Sequence, residues 1–366
     1  MRILLLPVIL LTADLEPAHS AEKKLIEFGW DEPDSKFLLR HAGEMDKTAF
    51  DGCVIHAQST KPAGGRGDFM WEFWSKRTFT DAELKLALAE LRSAPLRRMT
   101  NNFLRINTAP ADLDWFDDFT AILANCRVAA RVAKEGKCKG LLFDIEQYNF
   151  PLFKYRKQKD AATRSWDEYA AQVRKRGGEV MAAFQEEFPG LTVFLTFGYS
   201  LPWVEAGRKK SGLAEAGYGL LAPFLDGMLE AAKEDVRFVD GHELSYGYKE
   251  PKQFAAAYKM MKEDLLPIVA DPTKYAKQFS LGFGIWMDND HRKKGWSTND
   301  FSTNYFSPEA FEKSCKAALE TSDEYVWIYT ELPRWWTKDG GPEKLPSEYD
   351  AALKRAATAA SGKIAK

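Results

Sequence analysis

Two carboxylates follow a short apolar run near the middle of the chain. The run reads KGLLF and is followed by Asp144, Ile145 and Glu146. Alternate residues of a strand project from the same face, so Asp144 and Glu146 are predicted to lie side by side at the end of a buried strand. Two such acids disturb each other's ionisation, and one is expected to stay protonated. Glu146 is therefore the candidate general acid, tuned by Asp144; the alternative is a loop cap or an ion pair.

A second carboxylate and several aromatic rings are predicted to share that place. Glycosidic bonds are cleaved by one carboxyl that protonates the leaving oxygen and a second that acts as nucleophile or base, and Trp and Tyr rings pack against sugars. The candidates for the second carboxylate are, in order, Glu331, Glu243 and Asp288. The residues predicted to bind substrate stand near predicted strand ends: Trp30, Asp31, His56, Tyr148, Tyr199, Tyr246, Trp286, Asp288 and Trp327.

These residues must be positioned by elements that alternate along the chain. Short apolar runs separated by amphipathic helices occur about eight times, with no repeat and no second compositional regime. Thr80 and Glu83 form a capping box, and Ser307 is a predicted helix N-cap. We therefore predict an α/β fold, a (β/α)8 TIM barrel with long βα loops, as a single domain over residues 21–366. An open doubly wound sheet is the alternative, but no glycine-rich phosphate-binding motif follows an early strand.

Charged residues inside two predicted strands give an expectation about the barrel interior. Outward strand positions must pack on helices, so Glu27 and Arg105 are predicted to point inward. There they would pair with each other across the barrel. Such a pair would support the fold rather than take part in catalysis.

Composition limits the partners of this chain. The 366 residues carry 51 Lys and Arg and 53 Asp and Glu, and the net charge is −2. No basic stripe indicates nucleic acid, and beyond the first residues no apolar run approaches the ~20 residues of a membrane span. Aromatic residues make up 13% of the chain, with 11 Trp. Many fall in predicted loops, where they favour an oligo- or polysaccharide substrate, although core packing would also explain them.

The N-terminus has the pattern of a secretory signal. Arg2 precedes an apolar run from residue 3 to residue 11, and small residues stand before Ala21. Residues 1–20 are therefore predicted to be a signal peptide, and the protein to be secreted or periplasmic. The four cysteines match no zinc or redox motif and are predicted to be buried thiols, with a Cys126–Cys138 bridge as the alternative in an exported protein.

Other chemistries find less support in the sequence. There are five His residues and no HxH or HExxH motif, so no metal and no other cofactor is predicted. A serine hydrolase is disfavoured because no GxSxG motif occurs. Two rival functions stay open. One is a non-catalytic barrel that only binds glycans, and the other is a hydrolase that holds a divalent cation with Asp288, Asp290 and Glu331.

The strand-four segment resembles that of the family-18, chitinase-like glycoside hydrolases. Their pattern is D-G-x-D-x-D-x-E, and this chain reads K-G-L-L-F-D-I-E, so that Gly140, Asp144 and Glu146 match. The resemblance implies that Glu146 is the general acid and that Asp144 orients a substrate acetamido group. It also implies that Tyr246 is the family's strand-six tyrosine and Trp327 its strand-eight tryptophan.

The match is confined to short motifs and barrel periodicity. Lys139 and Leu142 replace the two earlier acids of the pattern, and Gly247 replaces the Asp that follows the strand-six tyrosine. The retaining hydrolases of the large (β/α)8 clan with paired Glu residues are a second relative, but their Asn-Glu signature is absent because Ile145 precedes Glu146. The class implied is therefore an exported glycoside hydrolase.

Overall fold

The computed structural model describes residues 22–61, 64–336 and 345–360. The predicted signal peptide lies outside the described residues. The strands are β1 (Lys24–Glu27), β2 (Gly52–Ile55), β3 (Gln58–Thr60), β4 (Arg66–Asp68), β5 (Phe103–Asn107), β6 (Gly140–Asp144), β7 (Thr192–Leu195), β8 (Arg237–Asp240), β9 (Phe279–Leu281), β10 (Phe283–Trp286) and β11 (Tyr325–Tyr329). The helices are α1 (Ser35–Met45), α2 (Asp81–Ser93), α3 (Thr120–Glu135), α4 (Trp166–Glu187), α5 (Ser200–Glu205), α6 (Leu221–Ala231), α7 (Pro251–Lys259), α8 (Pro272–Gln278), α9 (His291–Lys294), α10 (Pro308–Thr321) and α11 (Ser347–Ala360).

Nine of the strands form one parallel sheet that closes into a barrel. Their order is β10-β11-β1-β2-β5-β6-β7-β8-β9. Gly282 alone separates β9 from β10, and its amide donates to the carbonyl of Asp240 in β8. Phe283 then pairs with Val326 of β11. The two edges of the sheet are therefore one interrupted strand, and the predicted (β/α)8 TIM barrel is confirmed.

Side chains separate into an inner and an outer core by strand parity. The inner core is a small cluster of strand residues: Ile26, Phe28, Val54, Phe103, Leu142, Phe194, Val239, Tyr325 and Trp327. The larger outer core lies between the strands and the helices and contains Leu25, Leu141 and Ile328, among others. Alternate residues of each strand thus point inward. Asp144 follows Leu142 by two residues, and Arg105 follows Phe103 by two, so both point inward near the C-terminal ends of their strands.

The parity also corrects one prediction. Glu27 follows Leu25 by two residues and therefore faces outward, not inward. Its buried carboxyl lies against Asp31, and burial together with the charge of Asp31 raises its pKa well above the ordinary value. Arg105 pairs with Glu32 and Asp144 instead of Glu27. The predicted Glu27–Arg105 pair is wrong because the two side chains lie on opposite faces of the barrel wall.

Helix caps follow the sequence signals. Thr80 and Glu83 form the predicted capping box at the start of α2, and the Ser307 hydroxyl accepts from the amide of Ala310 at the start of α10. All four cysteines are free and buried, so Cys126 and Cys138 are not bridged. Within the described residues, no helix is long and apolar enough to cross a membrane.

Candidate active site

A cavity of about 520 Å³ opens at the C-terminal mouth of the barrel. Its walls come from the ends of six strands or the residues just after them, because parallel strands bring their C-terminal ends to one rim. The lining residues are Phe28, Gly29, Trp30, Trp71, Arg105, Glu146, Tyr148, Glu243, Tyr246, Trp286, Arg292, Tyr329 and Glu331. Three carboxyl groups, two guanidinium groups and seven aromatic rings therefore meet in one space.

Aromatic rings form two lips and a floor. On one lip Trp71 and Tyr148 pack edge to face with ring centroids 4.9 Å apart. On the other, the Trp30 indole donates to the Tyr329 hydroxyl at 2.9 Å. Trp30 is 60% exposed and Tyr148 is 43% exposed, which is unusual for large rings unless they contact a ligand.

Trp327 lies beneath this cavity and does not line it. Its ring packs 5.2 Å from that of Tyr246 and 5.3 Å from that of Phe28, and its indole donates to the Gly241 carbonyl at 2.7 Å. Only 1% of Trp327 is exposed. The structure therefore places Trp327 as the support of the floor, whereas Tyr246 forms the floor itself.

Glu146 and Glu243 are the two carboxyl groups that the cavity holds near each other. Burial, then the charge of Asp144, raises the pKa of Glu146 to about 7. Burial, then the charges of Glu146 and Asp144, raises the pKa of Glu243 well above its ordinary value. One oxygen of Glu243 is buried without a hydrogen-bond partner. Ionising both groups together is costly, so the pair retains a proton near neutral pH.

Asp144 is buried next to Glu146, and both of its carboxylate oxygens accept hydrogen bonds. Its Oδ2 accepts from Arg105 Nη2 at 2.6 Å and from the Tyr148 hydroxyl at 2.8 Å, while its Oδ1 accepts from the Glu146 amide at 3.1 Å. Arg105 Nη1 donates to Glu32 Oε2 at 2.8 Å. Asp144 and Glu146 thus share one place, as their spacing predicted, and an arginine fixes the first of them.

Glu331 reaches the cavity from β11 but is bound by two basic side chains. Arg292 donates to its Oε1 at 2.6 Å and to its Oε2 at 3.1 Å. His291 Nε2 lies 3.1 Å from Glu331 Oε2. Asp288 is fully buried, and it accepts from the amides of Glu331 and Leu332 and from the Trp286 indole. Glu331 and Asp288 thus hold the rim together.

Comparisons with known proteins find similar solved structures at low sequence identity. No protein-family model matches the chain, and no curated protein matches its sequence. The structure is similar to GH5_18 from Streptomyces cattleya in complex with GlcNAc (9% identity, TM-score 0.46, 93% of this chain and 82% of that one). It is also similar to an endocellulase from Pyrococcus horikoshii (12%, 0.45, 92% and 92%) and to a chitinase from Bacteroides thetaiotaomicron (10%, 0.45, 92% and 96%). At TM-scores below 0.5, these likenesses assign no residue of the site.

Besides Trp327 and Asp288, three further residues predicted to bind substrate do not line the cavity. Strand β7 ends at Leu195, four residues before Tyr199, and the Tyr199 hydroxyl donates to Asp226 in the outer core. Asp31 is buried and accepts from the amide of Trp335. His56 is directed at Glu32, with 3.5 Å between His56 Nδ1 and Glu32 Oε1. Each of these side chains is used by a neighbouring element and does not line the cavity.

The rival cation site is not formed. Asp288 already accepts hydrogen bonds from N–H donors, Asp290 lies near the ammonium groups of Lys293 and Lys294, and Glu331 is bound by Arg292. Throughout the described part of the chain, no group of three or more His, Cys, Asp or Glu side chains is arranged to hold a metal ion.

Several lining residues were missed from the sequence. Trp71 lies in the aromatic-rich segment Phe69–Trp74, and this clustering was the available signal. Tyr329 shares a strand face with Trp327, so parity would have added it to the site. Arg292 offered no signal, because its role depends on which carboxylate the fold brings near it.

The raised pKa of Glu146 predicts a pH-dependent effect on stability. A carboxyl whose pKa rises on folding contributes stability below its unfolded pKa, and this contribution is lost as pH rises through the folded pKa. For Glu146 that window runs from 4.5 to about 7, which corresponds to at most about 3 kcal/mol. Glu146→Gln should therefore unfold at higher urea than the parent at about pH 8.5, and the difference should shrink at about pH 5. An equal difference at both pH values would contradict a buried, destabilised carboxylate.

Proposed function

We propose that this protein is a glycoside hydrolase in which Glu146 donates a proton to the leaving oxygen and Glu243 is the second carboxyl group. The observation that carries the proposal is that Glu146 and Glu243 line one aromatic cavity and that burial raises the pKa of both. Glycosidic cleavage requires one protonated and one ionised carboxyl at the same bond. A pair that keeps a proton near neutral pH can supply both.

The chemical step is an acid-assisted displacement. The Glu146 proton passes to the glycosidic oxygen as the bond from that oxygen to the anomeric carbon breaks. Glu243 either removes a proton from a water that bonds to the anomeric carbon, or attacks that carbon itself. In the second case a water then cleaves the glycosyl–Glu243 ester, and the ionised Glu146 takes the proton of that water and regains its acid form. Aromatic faces of Trp30, Trp71 and Tyr246 pack against the sugar rings and orient them.

The site favours Glu243 over Glu331 as the second carboxyl, which reverses the order expected from the sequence. Glu331 is bound by Arg292 and contacts His291, and a carboxylate paired in this way is a poor nucleophile or base. Asp288 does not line the cavity. Glu243 does line it and has one oxygen without a hydrogen-bond partner, ready for a reacting atom.

Asp144 is proposed to tune Glu146 rather than to hold a substrate group. Its two oxygens already accept three hydrogen bonds from Arg105, Tyr148 and the Glu146 amide. The acetamido-orienting role implied by the chitinase-like motif would require one of these contacts to break. The proposal therefore does not depend on an N-acetylated substrate.

The charges of the cavity favour a neutral sugar at its centre. The two arginines that line it are both committed, Arg105 to Glu32 and Asp144, and Arg292 to Glu331. A uronate or sulfate entering the cavity would meet carboxyl groups and no uncommitted lining cation. Leaving an anion desolvated and unpaired is costly, so neutral oligo- and polysaccharides are the proposed substrates.

The test is release of new reducing ends from a panel of neutral and uronic-acid glycans. The purified parent protein should act on a neutral glycan and not on its uronate counterpart, and Glu146→Gln purified in the same way serves as the blank. Binding of a neutral glycan without cleavage would instead support the rival non-catalytic, glycan-binding barrel. If the protein neither binds nor cleaves any glycan of the panel, the proposal is contradicted.

Trp30 is predicted to form a sugar platform at the rim. In a Glu146→Gln background, which prevents turnover, Trp30→Ala should weaken oligosaccharide binding by about 1–3 kcal/mol, the loss expected for an aromatic contact. Titration calorimetry measures the affinity. Trp166→Ala is the matched control, since Trp166 does not line the cavity and should leave affinity unchanged. Equal affinity of the Trp30 variant and its background would remove Trp30 from the site.

Export is also part of the proposal. It rests on the signal pattern in residues 1–20 and would place the enzyme in a secreted or periplasmic compartment. N-terminal sequencing of protein from the native host should show a start near Ala21. An intact Met1 would contradict it.

A further inference from the structure

We propose that Glu32 is a positioning residue for Glu146: it pairs with the Arg105 guanidinium that also binds Asp144, and its negative charge offsets the positive charge near Glu146 and so keeps the proton on Glu146. This inference rests on the proposed function for its catalytic meaning. Its physical content, the control of one carboxyl by another across an arginine, does not require turnover.

The contacts that carry the inference form one continuous chain. Arg105 Nη1 lies 2.8 Å from Glu32 Oε2, and Arg105 Nη2 lies 2.6 Å from Asp144 Oδ2. The Arg105 side chain is 12% exposed, that of Glu32 6%, and that of Asp144 0%. Among side chains this buried, charges act on one another more strongly than in water. One guanidinium therefore forms an ion pair with each of two carboxylates.

The balance of these charges matters because Arg105 and Asp144 act on Glu146 in opposite directions. Apart from burial, Asp144 is the main cause that raises the pKa of Glu146, whereas Arg105 lowers it. Without Glu32, the charges of Arg105 and Asp144 would cancel, the cluster would lose its net negative charge, and Glu146 would lose its proton more readily. Glu32 supplies the second negative charge that prevents this.

Glu32 is itself kept ionised by its surroundings. Burial opposes ionisation, but Arg105 and His56 outweigh it and lower the pKa of Glu32. The groups that face this network from the neighbouring elements are Glu27, Asp34, Cys53, His56, Asp68 and Arg105 around Glu32, and Asp144, Tyr148, Tyr218, Glu243, Tyr246 and Tyr329 around Glu146. Among these, Arg105 is the group that touches both Glu32 and Asp144.

The test is a direct titration of the Glu146 carboxyl. Protein labelled with ¹³C at the glutamate carboxyl carbons is followed by NMR across pH, and the Glu146 signal is assigned by its absence from Glu146→Gln. In Glu32→Gln the midpoint of Glu146 should fall by about one pH unit, because the negative charge of Glu32 no longer offsets the positive charge of Arg105. Glu32→Asp keeps the charge and should largely restore the midpoint.

Glu90→Gln is the matched control for this titration. Glu90 is also a buried glutamate bound by an arginine, with 2.8 Å between its Oε1 and Arg66 Nη2, but it lies outside the cavity. Its replacement should leave the midpoint of Glu146 unchanged. An unchanged midpoint in folded Glu32→Gln would overturn the inference.

A second variant keeps the inference testable if Glu32→Gln does not fold. Arg105→Gln should move the midpoint of Glu146 upward, because the cation that lowers it is gone, and the absence of a rise would also overturn the inference. Both titrations are independent of activity. A shifted midpoint in a protein that cleaves no glycan would support the network and contradict only the proposed function.

Discussion

Glu146→Gln should lower turnover about 10²–10⁴-fold, the usual share of general acid catalysis, while leaving the fold intact. Glutamine has nearly the shape of the carboxylic acid but no proton to give. The loss should be greatest on natural glycans, whose leaving groups need protonation, and smallest on aryl glycosides with acidic phenols, which leave unaided. Steady-state rates on matched substrates measure both effects.

The control for this variant is Glu90→Gln, which removes a buried carboxyl from the same protein without touching the cavity. Its turnover should equal that of the parent. A Glu146 variant that loses the same factor on every substrate would show that Glu146 acts in another way than as a proton donor. Full turnover in Glu146→Gln would move the acid to another residue.

Glu243→Gln should cause a loss of similar size, about 10²–10⁴-fold, with a different dependence on the leaving group. A nucleophile or base is needed whatever the leaving group is, so aryl glycosides with acidic phenols should be affected as strongly as natural glycans. A small anion such as azide, which can enter the space left by the carboxylate, should restore part of the rate on such aryl glycosides.

The two variants together assign the roles. If Glu243→Gln spares the activated substrates and Glu146→Gln does not, the two carboxyls exchange roles while the pair remains catalytic. Both groups have a pKa raised by burial, so only the substrate dependence distinguishes the donor from its partner. If Glu331→Gln causes the larger loss and Glu243→Gln almost none, the ion pair of Glu331 with Arg292 must open during the reaction.

The sequence predicted the scaffold because the scaffold follows from local patterns. Apolar runs, helix caps and strand parity indicate where the strands and helices lie. A chain of parallel strands joined by helices has few possible topologies, and the closed barrel is one of them. The same parity brought Asp144 and Glu146 to one place. It needed only the period of one strand, and no knowledge of any other element.

Residues whose roles depend on a second loop were not predictable in that way. Glu331 ranked first as the partner of Glu146 by its place after an aromatic strand, but α9 brings Arg292 onto it. Tyr199 was predicted to lie at the end of β7, but β7 stops at Leu195, four residues earlier. Glu27 faced outward once the strand parity was fixed by Leu25. For Glu331 the deciding neighbour is distant in sequence.

The sequence predicted the raised pKa of Glu146 but not the set of charged residues around it. A raised pKa for Glu146 followed from the nearby Asp144, and burial proves to be the larger cause. The arginine that binds Asp144, and Glu32 on its far side, come from β5 and from the segment after β1. Their meeting depends on the closure of the barrel.

The measurement that tests the central claim most directly compares kcat/KM of the parent and of Glu146→Gln on one neutral glycan and on its activated aryl glycoside. We predict that the parent cleaves both, and that the variant loses about 10²–10⁴-fold on the glycan and far less on the aryl glycoside. Cleavage of the unactivated glycan at the same rate by both proteins would contradict the account.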